Sequence, residues 1–128
     1  MNLQDSVTFS YKDKSFTVNY PDVGTLIDIE NMKSKLAGDI RANSSQQSAY
    51  TFILAEMTAH LYHLAPELND SLGSGSLLNL KVKDANALLK VYMTKVKPWL
   101  KEWSKLQGEI LEEITLEMEE QSKKNEQK

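Results

Sequence analysis

In the last third of the chain, apolar residues recur every three or four positions: Ala85, Leu89, Tyr92, Val96, Trp99, Trp103, Leu106, Ile110 and Ile114. That spacing is the period of one helical face, so the segment must fold as amphipathic helix, and its stripe must be covered by another surface. The charges beside the stripe change sign part-way along. Between Lys81 and Lys105, seven lysines stand against Asp84 and Glu102, whereas six glutamates and no lysine follow from Glu109 to Glu120. Asp84 is placed to cap this region. Pro98 lacks an N–H and pushes Lys97 away from helical geometry, so a kink or a break into two helices is expected there, with a further weak point at Gly108. The polar end, Gln121 to Lys128, is expected to fray.

The amino-terminal segment has a different period. Val7, Phe9 and Tyr11 alternate with polar residues, and after Asp13 and Lys14 the alternation resumes as Phe16, Val18 and Tyr20. Period two on both sides of a polar break predicts a β-hairpin, ended by Pro21, which has no N–H for a ladder. No Asn-Gly or Asp-Gly marks the turn, so a loop longer than two residues is expected. A short helix follows, starting at Thr25 with Asp28 or at Asp22, turning Leu26, Ile29, Met32 or Lys33, and Leu36 to one side, with Gly38 as its candidate end. Caps are available between Asn43 and Ser48 for a helix over Ser45 to Leu64. That helix is apolar almost all round, at Tyr50, Phe52, Ile53, Leu54, Met57, Leu61 and Leu64, which predicts the centre of the fold. Pro66 to Asn79 reads as an irregular crossing anchored by leucines 68, 72, 77, 78 and 80 around a loose Gly73 to Ser76 centre.

Together these elements predict an α+β fold dominated by helices: a hairpin, a small helical bundle and a long carboxy-terminal amphipathic helix. The expected organisation is one hairpin-plus-helical domain over 1–108 and an acidic helical arm with a frayed tail over 109–128. A chain of 128 residues can bury a core without staples, and with no cysteine it has neither disulfides nor thiolate chemistry. Met1 to Tyr11 carries Asp5 where an export signal would have a basic start and an apolar run, so a cytoplasmic protein is expected. The most apolar stretch, Ala49 to Ala65, is short for a membrane span and contains Glu56, His60 and His63, so no membrane association is expected. The net charge is −3 and the one arginine is Arg41. Nucleic acid is therefore excluded as the main ligand, because phosphate recognition draws on clustered Lys and Arg.

The best constellation for a reaction or a metal is Glu56, His60 and His63, which spacings of four and three place on neighbouring positions of one helical face. Zinc takes four ligands, or three with an open position, and Glu67 joins this set only if the helix runs through Pro66. The set reads as a helix rim with no metal, no cofactor and no catalytic residue. Gly73 to Ser76 has no preceding strand and no Gly-Lys-Ser ending, so it is a linker and no phosphate cradle. Tyr92, Trp99 and Trp103 lie among lysines, as nucleic-acid or membrane surfaces do, yet share the stripe of Leu89, Val96 and Leu106 and read as core. The acidic segment keeps Ile110, Leu111, Ile114, Leu116 and Met118 among its glutamates, so its helix has three possible partners: its own domain, a second copy or another protein's helix. A projecting or self-pairing helix is expected, with Trp99, Trp103, Leu106, Ile110, Ile114 and Met118 as partner-binding residues.

The run Phe16-Thr17-Val18-Asn19-Tyr20-Pro21-Asp22-Val23-Gly24-Thr25-Leu26-Ile27-Asp28-Ile29-Glu30 resembles the opening of tailed-phage tail assembly chaperones, in which a short hairpin ends in a proline and leads into a helix with an apolar-acidic start. The resemblance implies a non-enzymatic helper in the infected cell's cytoplasm that binds the long helical tape measure protein and brings tail tube subunits to it. The family has no catalytic residues to carry over. The alternative expectation is a structural virion or other assembly subunit that self-associates through its carboxy-terminal helix.

Overall fold

In the computed structural model of the chain, residues 3–38, 46–72 and 77–126 are described. Two antiparallel strands, β1 (Ser6–Tyr11) and β2 (Lys14–Asn19), are followed by α1 (Val23–Gly38), α2 (Gln46–Leu64), a short α3 (Pro66–Ser71), a 3₁₀ turn over Leu77–Asn79, and α4 (Val82–Val91). A π-helical turn over Tyr92–Val96 joins α4 to the long α5 (Lys97–Glu126). The architecture is thus α+β and mainly helical, as the periodicities predict. No helix among the described residues is long and apolar enough to cross a membrane.

The hairpin pairs Val7 with Val18 and Phe9 with Phe16. Phe9, Tyr11, Phe16 and Val18 are buried on one face, and the Phe9 and Phe16 rings lie 5.6 Å apart. Thr8 and Thr17 meet on the exposed face through their hydroxyls at 2.9 Å. Tyr11 and Lys14 pair, so the loop is only Lys12-Asp13, both with positive φ (50° and 64°). The longer loop expected from the lack of Asn-Gly is therefore corrected. Cross-strand packing of the aromatic and β-branched face fixes the register, and the turn accepts two left-handed non-glycine residues to preserve it.

Asp22 caps α1, accepting the Thr25 N–H through its side chain at 2.8 Å and the Leu26 N–H through its carbonyl at 2.9 Å. Thr25 is thus the third helical residue rather than the cap. α2 packs against α1, α3 and the 3₁₀ turn. It buries Met57, Ala59, Leu61 and Leu64, while Phe52 and Ile53 are half-buried, so the helix is central over its second half rather than throughout. Its start is Gln46, and Ser45 with the proposed caps at Asn43 and Ser44 lies outside the described residues. α2 ends before Pro66, as expected, but Pro66 then opens α3 at a position where the missing N–H is harmless. The stretch read as irregular thus holds a helix and a 3₁₀ turn. Leu68, Leu72 and Leu77 are buried anchors, Leu80 is half-buried, Leu78 is exposed, and Gly73 to Ser76 lies outside the described residues.

The largest correction concerns Pro98. The helix neither breaks nor ends there, and runs from Val82 to Glu126 through the π-turn, in which the Lys97 N–H bonds to the Tyr92 carbonyl five residues back. A proline removes one i→i−4 bond and its ring crowds the carbonyl four residues earlier. A wider turn just before it accommodates both effects with one extra residue. Leu88, Tyr92 and Val96 are buried to 1% exposure or less, while Leu89, expected on the stripe, is half-buried. α5 passes Gly108 without interruption, and Gln121–Glu126, expected to fray, is helical.

The left-handed turn yields a direct expectation. Lys12→Asn with Asp13→Gly supplies residues that adopt positive φ readily and should raise global stability by about 1 kcal/mol in denaturant unfolding, with an unchanged hairpin register.

Candidate functional site

α2 places Glu56 and His60 one turn apart, and the π-turn brings Tyr92 and Lys97 against them. The Tyr92 hydroxyl donates to Glu56 Oε2 at 3.1 Å, and Lys97 Nζ reaches the same oxygen at 2.9 Å. His60 Nδ1 lies 2.8 Å from the Glu56 carbonyl and 3.2 Å from the Tyr92 hydroxyl oxygen. A carbonyl only accepts, so Nδ1 carries the proton and donates to both oxygens, leaving the tyrosine proton for the carboxylate. Burial pushes the Glu56 carboxyl up, but the Lys97 hydrogen bond and charge, the Tyr92 hydroxyl and His60 together outweigh it and hold the group below its ordinary value. Burial pushes His60 down, opposed in part by its hydrogen bond to the Glu56 backbone. Burial and the neighbouring Glu56 carboxylate raise the Tyr92 hydroxyl, which therefore stays protonated.

The Glu56–His60–His63 set is not assembled as one site. His63 stands edge-on to the Tyr62 ring, with centroids 5.2 Å apart, and no group of three or more His, Cys, Asp or Glu among the described residues is arranged to hold a metal ion. What the helix spacing did not reveal is that Glu56 and His60 engage Tyr92 and Lys97, more than thirty positions away in sequence. Their common role is to clamp α2 to the junction of α4 and α5. The four clamp residues form part of the wall of a cleft of about 150 Å³, which Tyr20, Glu30, Lys33, Leu100, Ser104 and Gln107 also line. Lys33 pairs with Glu30 at 3.3 Å, and Tyr20 presents a buried hydroxyl without a hydrogen-bond partner among the described residues.

α5 carries all six residues expected to bind a partner, and the fold divides them. Trp99 and Trp103 are half-buried, and both donate their indole N–H to one acceptor, the Gln4 carbonyl, at 2.6 and 3.1 Å. Tyr20 stacks on Trp103 with centroids 4.0 Å apart and meets Trp99 edge-on at 6.1 Å. Leu106 is half-buried. Ile110 and Ile114 are each 47% exposed and Met118 is 67% exposed. From Gln107 to Asn125 every residue is exposed, a stretch of about 28 Å at the helical rise.

Two lines of side chains at helical spacing run along α5. One is Trp99, Trp103, Leu106 and Ile110, which carries the indoles that grip Gln4 and Tyr20 and then meets Glu113 and Glu117. The other is Leu100, Ser104, Gln107, Leu111, Ile114 and Met118 at alternating intervals of four and three. Its first three members line the cleft, and its last three are exposed on the arm. Helical geometry puts Glu109, Glu113 and Glu120 on the opposite side and Glu112, Glu117 and Glu119 on the flanks. The arm therefore presents an apolar strip that is continuous with the cleft and backed by acid.

Compared with protein-family models, curated proteins and solved structures, the chain matches none. The geometry of the clamp and the arm is accordingly what bears on function.

The clamp has a pH signature. Glu56 and His60 both bind protons less readily folded than unfolded, so stability rises with pH through each window and is lost on acidification. The loss should begin as the pH falls below the ordinary histidine value of 6.5 and continue below the ordinary glutamate value of 4.5. His60→Asn, which keeps a donor but does not titrate, should flatten the upper part of that slope in unfolding curves measured across pH. Tyr92→Phe should cost roughly 1–3 kcal/mol at neutral pH, because Glu56 loses a donor in a half-buried site.

Proposed function

We propose that this chain is a non-enzymatic assembly chaperone that holds an apolar helical client against the exposed strip of α5. The observation that carries this reading is the strip itself: Leu111, Ile114 and Met118, with Ile110 on its flank, lie on a helix that leaves the body bare on all sides. A single helix gains most of its stability from packing an apolar face, and apolar side chains of this size contribute roughly 1.5–3 kcal/mol each when buried. An arm of this kind is built to be covered.

The resemblance of Phe16 to Glu30 to tail assembly chaperones supports a more specific form. In that form the client is the tape measure protein of a tailed phage, tail tube subunits are recruited to the complex, and the work is done in the host cytoplasm. A helical, aggregation-prone client fits a partner that offers an apolar groove flanked by charge.

Co-expression with a tailed-phage tape measure protein tests the proposal. The intact chain should co-purify with that protein and keep it soluble. Ile110→Asp with Ile114→Asp should weaken capture about tenfold or more while the melting temperature of the body stays unchanged. Equal capture by the double variant, or loss of the body's folding, would overturn the assignment.

A further inference from the structure

The strip along α5 ends in opposite charges, and this makes it complementary to itself. Lys101 and Lys105 are exposed beside the cleft end, whereas Glu112 and Glu119 are exposed on the same flank of the strip along the arm end. We propose that, between clients, the arm is covered by the arm of a second copy, the two α5 helices lying antiparallel so that each acidic end rests on the other's lysines. The inference builds on the reading of the strip as a binding surface and names its resting occupant.

An antiparallel pair centred near residue 109 sets Leu111 of one copy against Gln107 of the other, Ile114 against Ser104, and Met118 against Leu100. The exposed apolar residues of each arm then lie over the cleft of the other copy, and the contact is isologous, closing at two chains. Reversing one helix would place glutamates along glutamates and lysines along lysines, which like-charge repulsion disfavours. The strip meets its partner at intervals of four and three, the spacing at which two helices interlock side chains over a shared seam. A client helix with the same apolar seam must displace the second copy. The strip is therefore shielded from aggregation while it waits and is released by mass action when client is present.

The chain has no cysteine, so introduced thiols report the geometry without interference. Ser104→Cys and Ile114→Cys are made in separate chains and oxidised alone and mixed. In the antiparallel pair, like positions are about 15 Å apart along the helix, so neither variant should cross-link with itself, whereas the mixture should give a covalent dimer. Self-cross-linking of each variant would show a parallel pair and overturn the proposal, as would a mixture that stays monomeric. Light scattering on cysteine-free chains gives the charge test. Lys101→Glu with Lys105→Glu should weaken dimerisation tenfold or more, and adding Glu112→Lys with Glu119→Lys to the same chain should restore it. Dimerisation unaffected by the first pair of changes would contradict the charge argument. A monomeric chain that captures tape measure protein defeats this inference and leaves the chaperone reading standing, and a dimer that captures no client does the reverse.

Discussion

Two indole N–H groups converge on one backbone carbonyl, and the position of every exposed residue on the arm follows from that contact. Trp99 and Trp103 bind the Gln4 oxygen, with Tyr20 packed against both rings. The segment before β1 and the residue after β2 are thereby fastened to one face of α5 over its first two turns. Aromatic pairs of this kind contribute roughly 0.5–1.5 kcal/mol beyond the area they bury. Beyond Leu106 nothing comparable holds the helix among the described residues, so the body ends there.

The direction in which the helix leaves the body depends on the π-turn. A proline inside a helix creates an unmatched carbonyl and a clash, and the extra residue in Tyr92–Val96 absorbs both while keeping the helix continuous. The same turn carries Tyr92 inward to Glu56 and His60 and brings Lys97 to the carboxylate. One local irregularity thus positions the buried polar clamp and sets the face that α5 presents after Pro98. The lysines that follow lie on the solvated side near the body, and the glutamates continue along the arm, giving a helix whose two halves differ in charge and share an apolar strip.

Much of this was legible in the sequence, because periodicity reports which face of an element is buried. The hairpin alternation at Phe9, Tyr11, Phe16 and Val18, the apolar α2 residues Met57, Leu61 and Leu64, and the stripe from Tyr92 to Leu106 all follow from spacing alone. Four features were not legible, for three separate reasons. The two-residue turn carries no glycine, since its conformation is imposed by strand packing rather than by its own residues. The π-turn depends on how a proline's defect is distributed over the preceding five residues, which a fixed helical period does not contain. The clamp and the indole latch join residues far apart in the chain, and the latch ends on a backbone oxygen that has no side-chain signature. The basic-to-acidic switch around Gly108 was also visible from the outset, and it coincides with the boundary between covered and bare helix.

The central claim is that α5 serves two purposes, as part of the core up to Leu106 and as a binding surface beyond it. Amide hydrogen exchange followed residue by residue at low and high chain concentration addresses it most directly. α2, α4 and the first turns of α5 should exchange slowly and equally at both concentrations, while 107–126 should exchange quickly in dilute solution and become protected as the concentration rises. An arm already as protected as α2 in the most dilute sample, opening only with the whole molecule, would contradict the account.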